Sequence, residues 1–383
     1  MRRFVFKSLL RKLPLFAVLA VTLASVAIIS AASTNFVTYD NGFGYLRFDQ
    51  GSTPTGYLAL MILYFFIMLV LPLFSMSYRF SLAKSDAYRQ AAFKDKSIRY
   101  AEHISTLVTV LISFTFAYAI LVGLLAIRNY SATVPTYYMR DGRYSIGYLH
   151  YFYYLPMYFA FIVGGVAQYF ISYLLVSRCN CLRNSVIVLI MGQLLLFSFT
   201  GVIFTYIKEY YGANYEFVKY SGASVALPAM LISETFDESI LYGEPLFSHL
   251  IVGGSYVGAT LLIILTVLFF SIAVLGVIAF IIEKDPSGEF AGKSATKKPY
   301  QEIIFHAGFA FFGAYLGSAM LSMDLLSYFL FLVIFAAAYY PLYGTLLRNF
   351  KLKPYQIAIM AGVVMFIIVV SISVKSINSD YYN

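Results

Sequence analysis

The chain has little charge and little sulfur for its length. Charged residues make up 12% of its 383 residues, tryptophan is absent and only two cysteines occur. Soluble domains carry about 25% charged residues. Because 61% of the residues here are hydrophobic, a water-soluble fold would expose too much apolar surface. The composition therefore excludes a soluble globular protein and predicts a polytopic membrane protein.

The two cysteines, Cys179 and Cys181, are separated by one residue on what we predict to be the cytoplasmic side. That spacing and that compartment make them poor candidates for a disulfide. A C-x-C pair would also serve as half of a metal or redox site, but no histidine or second cysteine pair lies nearby in the sequence. We interpret both as structural thiols.

Acidic residues, lysines and arginines are missing from the middle of every predicted membrane span. A proton-driven secondary transporter needs such groups within the membrane, so their absence argues against that class. Sodium sites built from backbone carbonyls remain open. His103, His150, His249 and His306 lie at span ends and form no hydrolase motif, which favours polar residues at a wet interface.

A phosphate-binding loop is also missing. Residues 288–294 (GEFAGKS) resemble a Walker A loop but have three residues between the glycines instead of four. The segment follows a membrane span, whereas a Walker loop follows a strand that holds it under the phosphates. The chain therefore has no evident energy source of its own.

Nine apolar segments are long enough to cross a bilayer, which takes about 20 helical residues. They cover residues 14–32, 56–78, 103–127, 151–176, 186–207, 250–282, 303–321, 325–347 and 355–377. The first also resembles a secretory signal peptide, although its length favours a retained helix. Only residues 322–324 separate the seventh and eighth segments, which predicts a tight helical hairpin.

The basic residues orient these segments. With the N-terminus inside, 20 of the 27 Lys and Arg residues fall on the cytoplasmic side and 7 outside, as the positive-inside rule requires. The C-terminus is then extracellular, and residues 1–13 are expected to form an interfacial helix. We expect a multi-pass protein of a bacterial plasma membrane. Its net charge of +9 indicates contact with anionic membrane lipids, not with nucleic acid.

The most basic connection is residues 79–103, which carry six Lys and Arg residues. Within the spans, the polar side chains of Gln168, Tyr169, Gln193 and Ser198 are candidates for lining a substrate path, because polar groups in a membrane face the bundle interior. Interhelical hydrogen bonding is the alternative role for them. Glycine pairs and repeats at 164–165, 253–254 and 308–317 predict close helix packing.

The second span and its loop, FSMSYRFSLAKSDAYRQAAFKDKSIRYAEH, resemble the permease subunits of type-2 ABC exporters of Gram-positive bacteria. Residues 78–80 match an aromatic-Tyr-Arg-Phe-like run, and residues 84–86 match a following Lys-Ser-Asp. Residues 90–94 (QAAFK) stand where the family has Ser-Leu-Pro-x-Lys, so the proline is missing. The later loop EKDPSGEFAGKSATKK is similar to the family's Arg-x-Ser-Glu-x-Ala-Gly-Lys run, with Gly288 inserted.

This resemblance implies an all-α bundle with a six-helix permease core at 1–282 and three further helices within 283–383. It implies a second permease subunit or a second copy, and cytoplasmic ATPase subunits that bind ATP and Mg²⁺; the chain itself would bind no cofactor. The loop 79–103 would dock on an ATPase, with Phe93 as an aromatic plug. The coupling residues it implies are Arg79, Lys84, Asp86, Phe93, Lys94, Lys96, Glu289, Gly292 and Lys293.

Other functions remain open. The loop 79–103 would also serve as a basic, lipid-facing anchor. A membrane-embedded enzyme of lipid or cell-envelope synthesis would need converging acids, and the acidic outer loop 208–249 with Glu234, Asp237 and Glu238 is the candidate for it. No positive feature indicates a sensory or scaffold protein.

Overall fold

The computed structural model describes residues 8–33, 39–40, 46–47, 57–80, 95–131, 136–140, 143–147, 151–211, 256–282 and 298–380. Its helices are α1 (Leu13–Ser33), α2 (Leu58–Ser75), α3 (Ser77–Phe80), α4 (Asp95–Ser131), α5 (Tyr154–Val176), α6 (Leu182–Tyr211), α7 (Tyr256–Ile282), α8 (Lys298–Met323), α9 (Leu325–Leu347) and α10 (Pro354–Asp380). Residues 8–11 are also helical.

Within the described residues, eight helices are long and apolar enough to cross a membrane: α1, α2, α4, α5, α6, α8, α9 and α10. The described part of α7 adds a shorter apolar stretch, Thr266–Ile282. The chain is therefore a multi-pass α-helical membrane protein, as the composition predicted. The predicted hairpin is also confirmed, because only Asp324 separates α8 from α9.

Four short strands lie in two segments that were predicted to be outer loops. Strands β1 (Tyr39–Asp40) and β2 (Leu46–Arg47) pair antiparallel, as do β3 (Thr136–Arg140) and β4 (Arg143–Gly147). The β3–β4 register pairs Arg140 with Arg143 across the sequence Asp141-Gly142. Asp-Gly is a typical two-residue hairpin turn, so this hairpin was predictable from the sequence. β2 also contacts β3.

The described helices divide between two compact units. The first comprises Met1–Ser75, Lys96–Phe170 and Ala226–Val277. Its core joins α1, α2, α4 and α5 through buried aromatic and aliphatic side chains. The rings of Tyr64 and Phe114 stack with centroids 3.9 Å apart, and Phe161 meets Phe114 edge-on at 5.8 Å. Gly165 makes room for Tyr64, since a Cβ there would collide with the tyrosine ring.

The second unit comprises Met76–Asp95, Ile171–Val225 and Ile278–Asn383. Helix α8 is its centre and contacts α6, α9 and α10. The backbone carbonyl of Met191 in α6 lies where a Cβ on Gly308 would be, so these two helices touch at backbone distance. A Cβ on Gly313 would lie 2.7 Å from the ring of Phe335 in α9. The close packing predicted from the glycine repeat at 308–317 is thus confirmed.

Candidate functional site

In the first unit, polar side chains gather at the N-terminal end of α4, and we call Ser8, Lys12, Glu102, His103, Ser105, Thr106 and Tyr169 the first polar cluster. The Lys12 Nζ lies 3.0 Å from Glu102 Oε2 and donates a hydrogen bond to the Glu102 carbonyl oxygen at 2.9 Å. It also donates to Thr106 Oγ1. Burial lowers the pKa of Lys12, while the Glu102 carboxylate opposes that shift.

Two further contacts complete this cluster. The hydroxyls of Ser8 and Ser105 lie 2.9 Å apart, and His103 Nδ1 pairs with the Tyr169 hydroxyl of α5. His103 is only 2% exposed, so it is a buried interhelical residue instead of the wet-interface residue that the sequence favoured. Together these contacts fasten the start of α4 to the N-terminal segment and to α5.

In the second unit, a second polar cluster joins the α5–α6 junction to α8 and to the end of α9. Its members are Cys179, Asn184, Gln301, Glu302, His306, Tyr339 and Tyr343. Asn184 Nδ2 donates to Gln301 Oε1 at 3.1 Å and to the Leu346 carbonyl oxygen at 3.3 Å. Gln301 Nε2 donates to Cys179 Sγ at 3.1 Å.

The remaining members of the second polar cluster link α8 to α9. The Tyr343 hydroxyl donates to Glu302 Oε2 at 3.1 Å, and His306 Nδ1 pairs with the Tyr339 hydroxyl. The Tyr343 ring packs on His306 with centroids 4.6 Å apart. Buried polar groups of membrane helices need such partners, because lipid offers no hydrogen bonds. Both clusters therefore connect neighbouring helices through hydrogen bonds.

Both clusters also bear on the predicted sidedness. Residues 8–12 and the start of α4 meet in the first unit, and both were predicted to be cytoplasmic. In the second unit the α5–α6 junction meets the start of α8 and the end of α9, which were predicted to share that side as well. Segments predicted to lie on one side of the membrane therefore contact one another within each unit, as a consistent topology requires.

The cysteines fit the structural interpretation. Cys179 and Cys181 are free and buried. Burial raises the pKa of the Cys179 thiol to about 12, so the reactive thiolate is not formed at neutral pH. Among the described residues, no group of three or more His, Cys, Asp or Glu side chains is placed to hold a metal ion.

Most of the coupling residues predicted from the family resemblance lie outside the described residues: Lys84, Asp86, Phe93, Lys94, Glu289, Gly292 and Lys293. Lys96 lies in the first turn of α4, but its side chain is not among those described. Arg79 is described in α3, where it is 5% exposed. Their coupling role stays a prediction.

The four candidates for a substrate path divide between the units. Tyr169 and Ser198 use their hydroxyls within the protein, towards His103 and the Leu194 carbonyl oxygen. For Tyr169, the contact with His103 of α4 matches the alternative role in interhelical hydrogen bonding. The Ser198 hydrogen bond lies within α6 itself and therefore does not join two helices. Gln168 and Gln193 differ, because no described residue accepts a hydrogen bond from either Nε2. These two amides remain the candidates with spare hydrogen-bonding capacity.

These features define the chain as a polytopic α-helical membrane protein whose two polar clusters connect neighbouring helices. Comparisons with protein-family models, with curated proteins and with solved structures found no match.

Proposed function

We propose that this chain is the transmembrane permease subunit of an ATP-driven ABC exporter in a bacterial plasma membrane. ATP is hydrolysed with Mg²⁺ on separate cytoplasmic ATPase subunits, and the chain pairs with a second permease subunit or a copy of itself. The proposal includes nine spans, with α7 as the sixth, arranged as a six-helix core followed by α8, α9 and α10. The N-terminus is cytoplasmic and the C-terminus extracellular.

The observation that carries the proposal is the basic connection 79–103, which ends in the first turns of α4 and whose sequence resembles the first cytoplasmic loop of type-2 ABC permeases. It is supported by the form of α4, which is one helix of 37 residues. Crossing a bilayer takes about 20 residues, so α4 is longer than one crossing requires, and in this proposal its charged first turns lie outside the membrane on the cytoplasmic side. A displacement of that connection would act directly on a membrane span.

The first polar cluster adds a route for this displacement within the first unit. Glu102 forms an ion pair with Lys12, Thr106 accepts a hydrogen bond from Lys12, and His103 is hydrogen-bonded to Tyr169 of α5. A push on the first turns of α4 would therefore also pull on the N-terminal segment and on α5. This is the behaviour that a permease needs if ATPase movement is to reach several spans at once.

The coupling role of Phe93 is tested by Phe93→Ala in the full assembly. We expect weaker ATPase association or ATP hydrolysis that is uncoupled from transport, with the expression level and thermal stability of wild type. Phe152→Ala is a matched control, because Phe152 is 78% exposed and lies before α5, at the opposite end of that helix from the first polar cluster. Equal coupling in the Phe93 and Phe152 variants would remove Phe93 from the mechanism.

The topology is tested by cysteine labelling in intact cells. A cysteine replacing Asp380 should react with an impermeant maleimide, whereas one replacing Lys96 should react only after the membrane is opened. Background labelling should be low, because Cys179 and Cys181 are buried. Labelling of the Lys96 position from outside would reverse the proposed orientation.

A further inference from the structure

An apolar groove lies between α9 and α10, beneath the connection 348–353. Its volume is about 420 Å³, within the range of about 300–1,000 Å³ typical of ligand pockets. It is lined by Ala336, Tyr340, Leu352, Ile357, Met360 and Ala361. Several of these side chains face outward, with Ile357 at 57% and Tyr340 at 44% exposed, so the groove opens on the exposed surface of the second unit.

The groove is built by specific contacts in the connection 348–353. The Tyr340 hydroxyl donates to the Phe350 carbonyl oxygen at 2.6 Å, which ties the connection to the end of α9. Phe350 rests on Gly344, where a Cβ would collide with its ring. Lys351 N–H donates to Asn349 Oδ1 at 2.9 Å, which orders the turn. The groove therefore has a fixed end at this connection.

That fixed end is basic. Arg348, Lys351 and Lys353 are all exposed in the connection. Arg348 is the one described non-glycine residue with positive φ, at 57°. It caps the C-terminus of α9, and its backbone N–H donates to the carbonyl oxygens of Gly344 and Thr345. Glycine is the usual residue at such a cap, because it adopts this conformation without strain. Glycine at this position would relax the backbone, whereas arginine accepts the strain and adds a positive charge to the connection.

We propose that this groove binds one anionic phospholipid from the membrane leaflet next to the connection 348–353. One of its acyl chains lies along the apolar lining between α9 and α10, and its phosphate contacts Arg348, Lys351 and Lys353. The argument is charge complementarity between the phosphate and the basic residues of the connection, whose Phe350 and Leu352 line the groove, together with a lining that is apolar and exposed. This site is separate from the proposed coupling function and does not depend on it.

The test is native mass spectrometry of the full chain, titrated with phosphatidylglycerol and, separately, with phosphatidylcholine. Wild type should bind one phosphatidylglycerol more tightly than phosphatidylcholine. Each basic residue near an anionic surface contributes about fivefold in affinity, so Lys351→Gln/Lys353→Gln should lower phosphatidylglycerol affinity about 25-fold. Arg183→Gln is the control: Arg183 is exposed at the start of α6, is not among the groove residues and should leave the affinity unchanged. Equal losses in both variants would overturn the proposal.

Further variants separate binding from folding. Arg348→Gly should lower phosphatidylglycerol affinity about fivefold while thermal stability is kept or raised, since glycine suits the positive φ. Ala361→Phe should fill the groove and remove binding of this one lipid, whereas Ala358→Phe, on the same helix outside the groove, should not. Binding that survives Ala361→Phe would contradict an acyl site. Disulfide-linked dimers formed through Ala361→Cys would show that a second copy covers the groove, and would also overturn the proposal.

Discussion

The contact between Lys12 and Glu102 offers the sharpest test of the first polar cluster. We consider Glu102→Gln, which removes the carboxylate 3.0 Å from Lys12 and leaves the ammonium in place. Breaking a buried pair from one side costs about 3–5 kcal/mol, whereas exposed pairs contribute about 0–1 kcal/mol. The two side chains are 16% and 14% exposed and lie between these cases. We expect a loss of about 1–3 kcal/mol in the free energy of unfolding.

The measurement is a double-mutant cycle with Lys12→Met, using SDS titration of the purified full chain followed by circular dichroism. Because the two residues contact each other, the double variant should be less destabilised than the sum of the singles, with a coupling energy of about 1–2 kcal/mol. Arg11→Gln is the control, since Arg11 is exposed beside Lys12 and should change stability by less than about 0.5 kcal/mol. A coupling energy near zero would refute the contact.

The pH dependence gives an independent check with a definite sign. Burial lowers the pKa of Lys12 in the folded protein below its ordinary value of 10.5, so the folded state binds fewer protons than the unfolded state in that range. Stability linked to Lys12 therefore rises as the pH rises through the folded pKa. In Glu102→Gln the carboxylate no longer opposes this shift, so the defect should shrink as the pH is raised from neutral towards 10. A defect that grows with pH would contradict the assignment.

Three further predictions follow from single residues. Gly308→Ala should destabilise the protein, because the new Cβ would collide with the backbone carbonyl oxygen of Met191. Gly362→Ala should leave stability at or above wild type, since no atom lies within 4 Å of the new Cβ. Thermal unfolding of the two variants measures this difference. Asp324→Ala should loosen the α8–α9 hairpin and raise hydrogen exchange at its turn, because the carboxylate accepts hydrogen bonds from the Ser327 N–H at 2.6 Å and hydroxyl at 2.7 Å. These hydrogen bonds lower the pKa of Asp324, so its contribution should be present at neutral pH and be lost as the pH falls through the folded pKa; unchanged exchange at acid pH would count against the cap.

The membrane spans were largely predictable, because length and hydropathy alone decide whether a segment can cross a bilayer. Two predictions differ from the structure. The sixth predicted span, 250–282, is represented in the described residues only by the shorter apolar stretch Thr266–Ile282 of α7. Helix α4 starts at Asp95, although the sequence predicted a span from 103. The charged residues there resemble a loop, but Glu102 is paired with Lys12 and Arg99 is fully buried. Burial by neighbouring elements therefore extended the helix beyond its apolar segment.

The polar clusters were not predictable from the sequence in the same way. The hydrogen bond from Asn184 to Gln301 and the pairing of His306 with Tyr339 depend on which helices are neighbours. Span lengths and hydropathy do not determine that arrangement. The glycine repeat on α8 did indicate a close approach, because a missing side chain is visible in the sequence even when its partner is not.

The central claim is that an ATPase drives this chain through the connection before α4, and affinity purification of the tagged full chain from native membranes in mild detergent tests it most directly. We predict that an ABC ATPase subunit is recovered in stoichiometric amount by quantitative mass spectrometry, and that Phe93→Ala lowers its recovery or uncouples its hydrolysis while Phe152→Ala does neither. Recovery of the intact chain with no ATPase subunit would contradict the account.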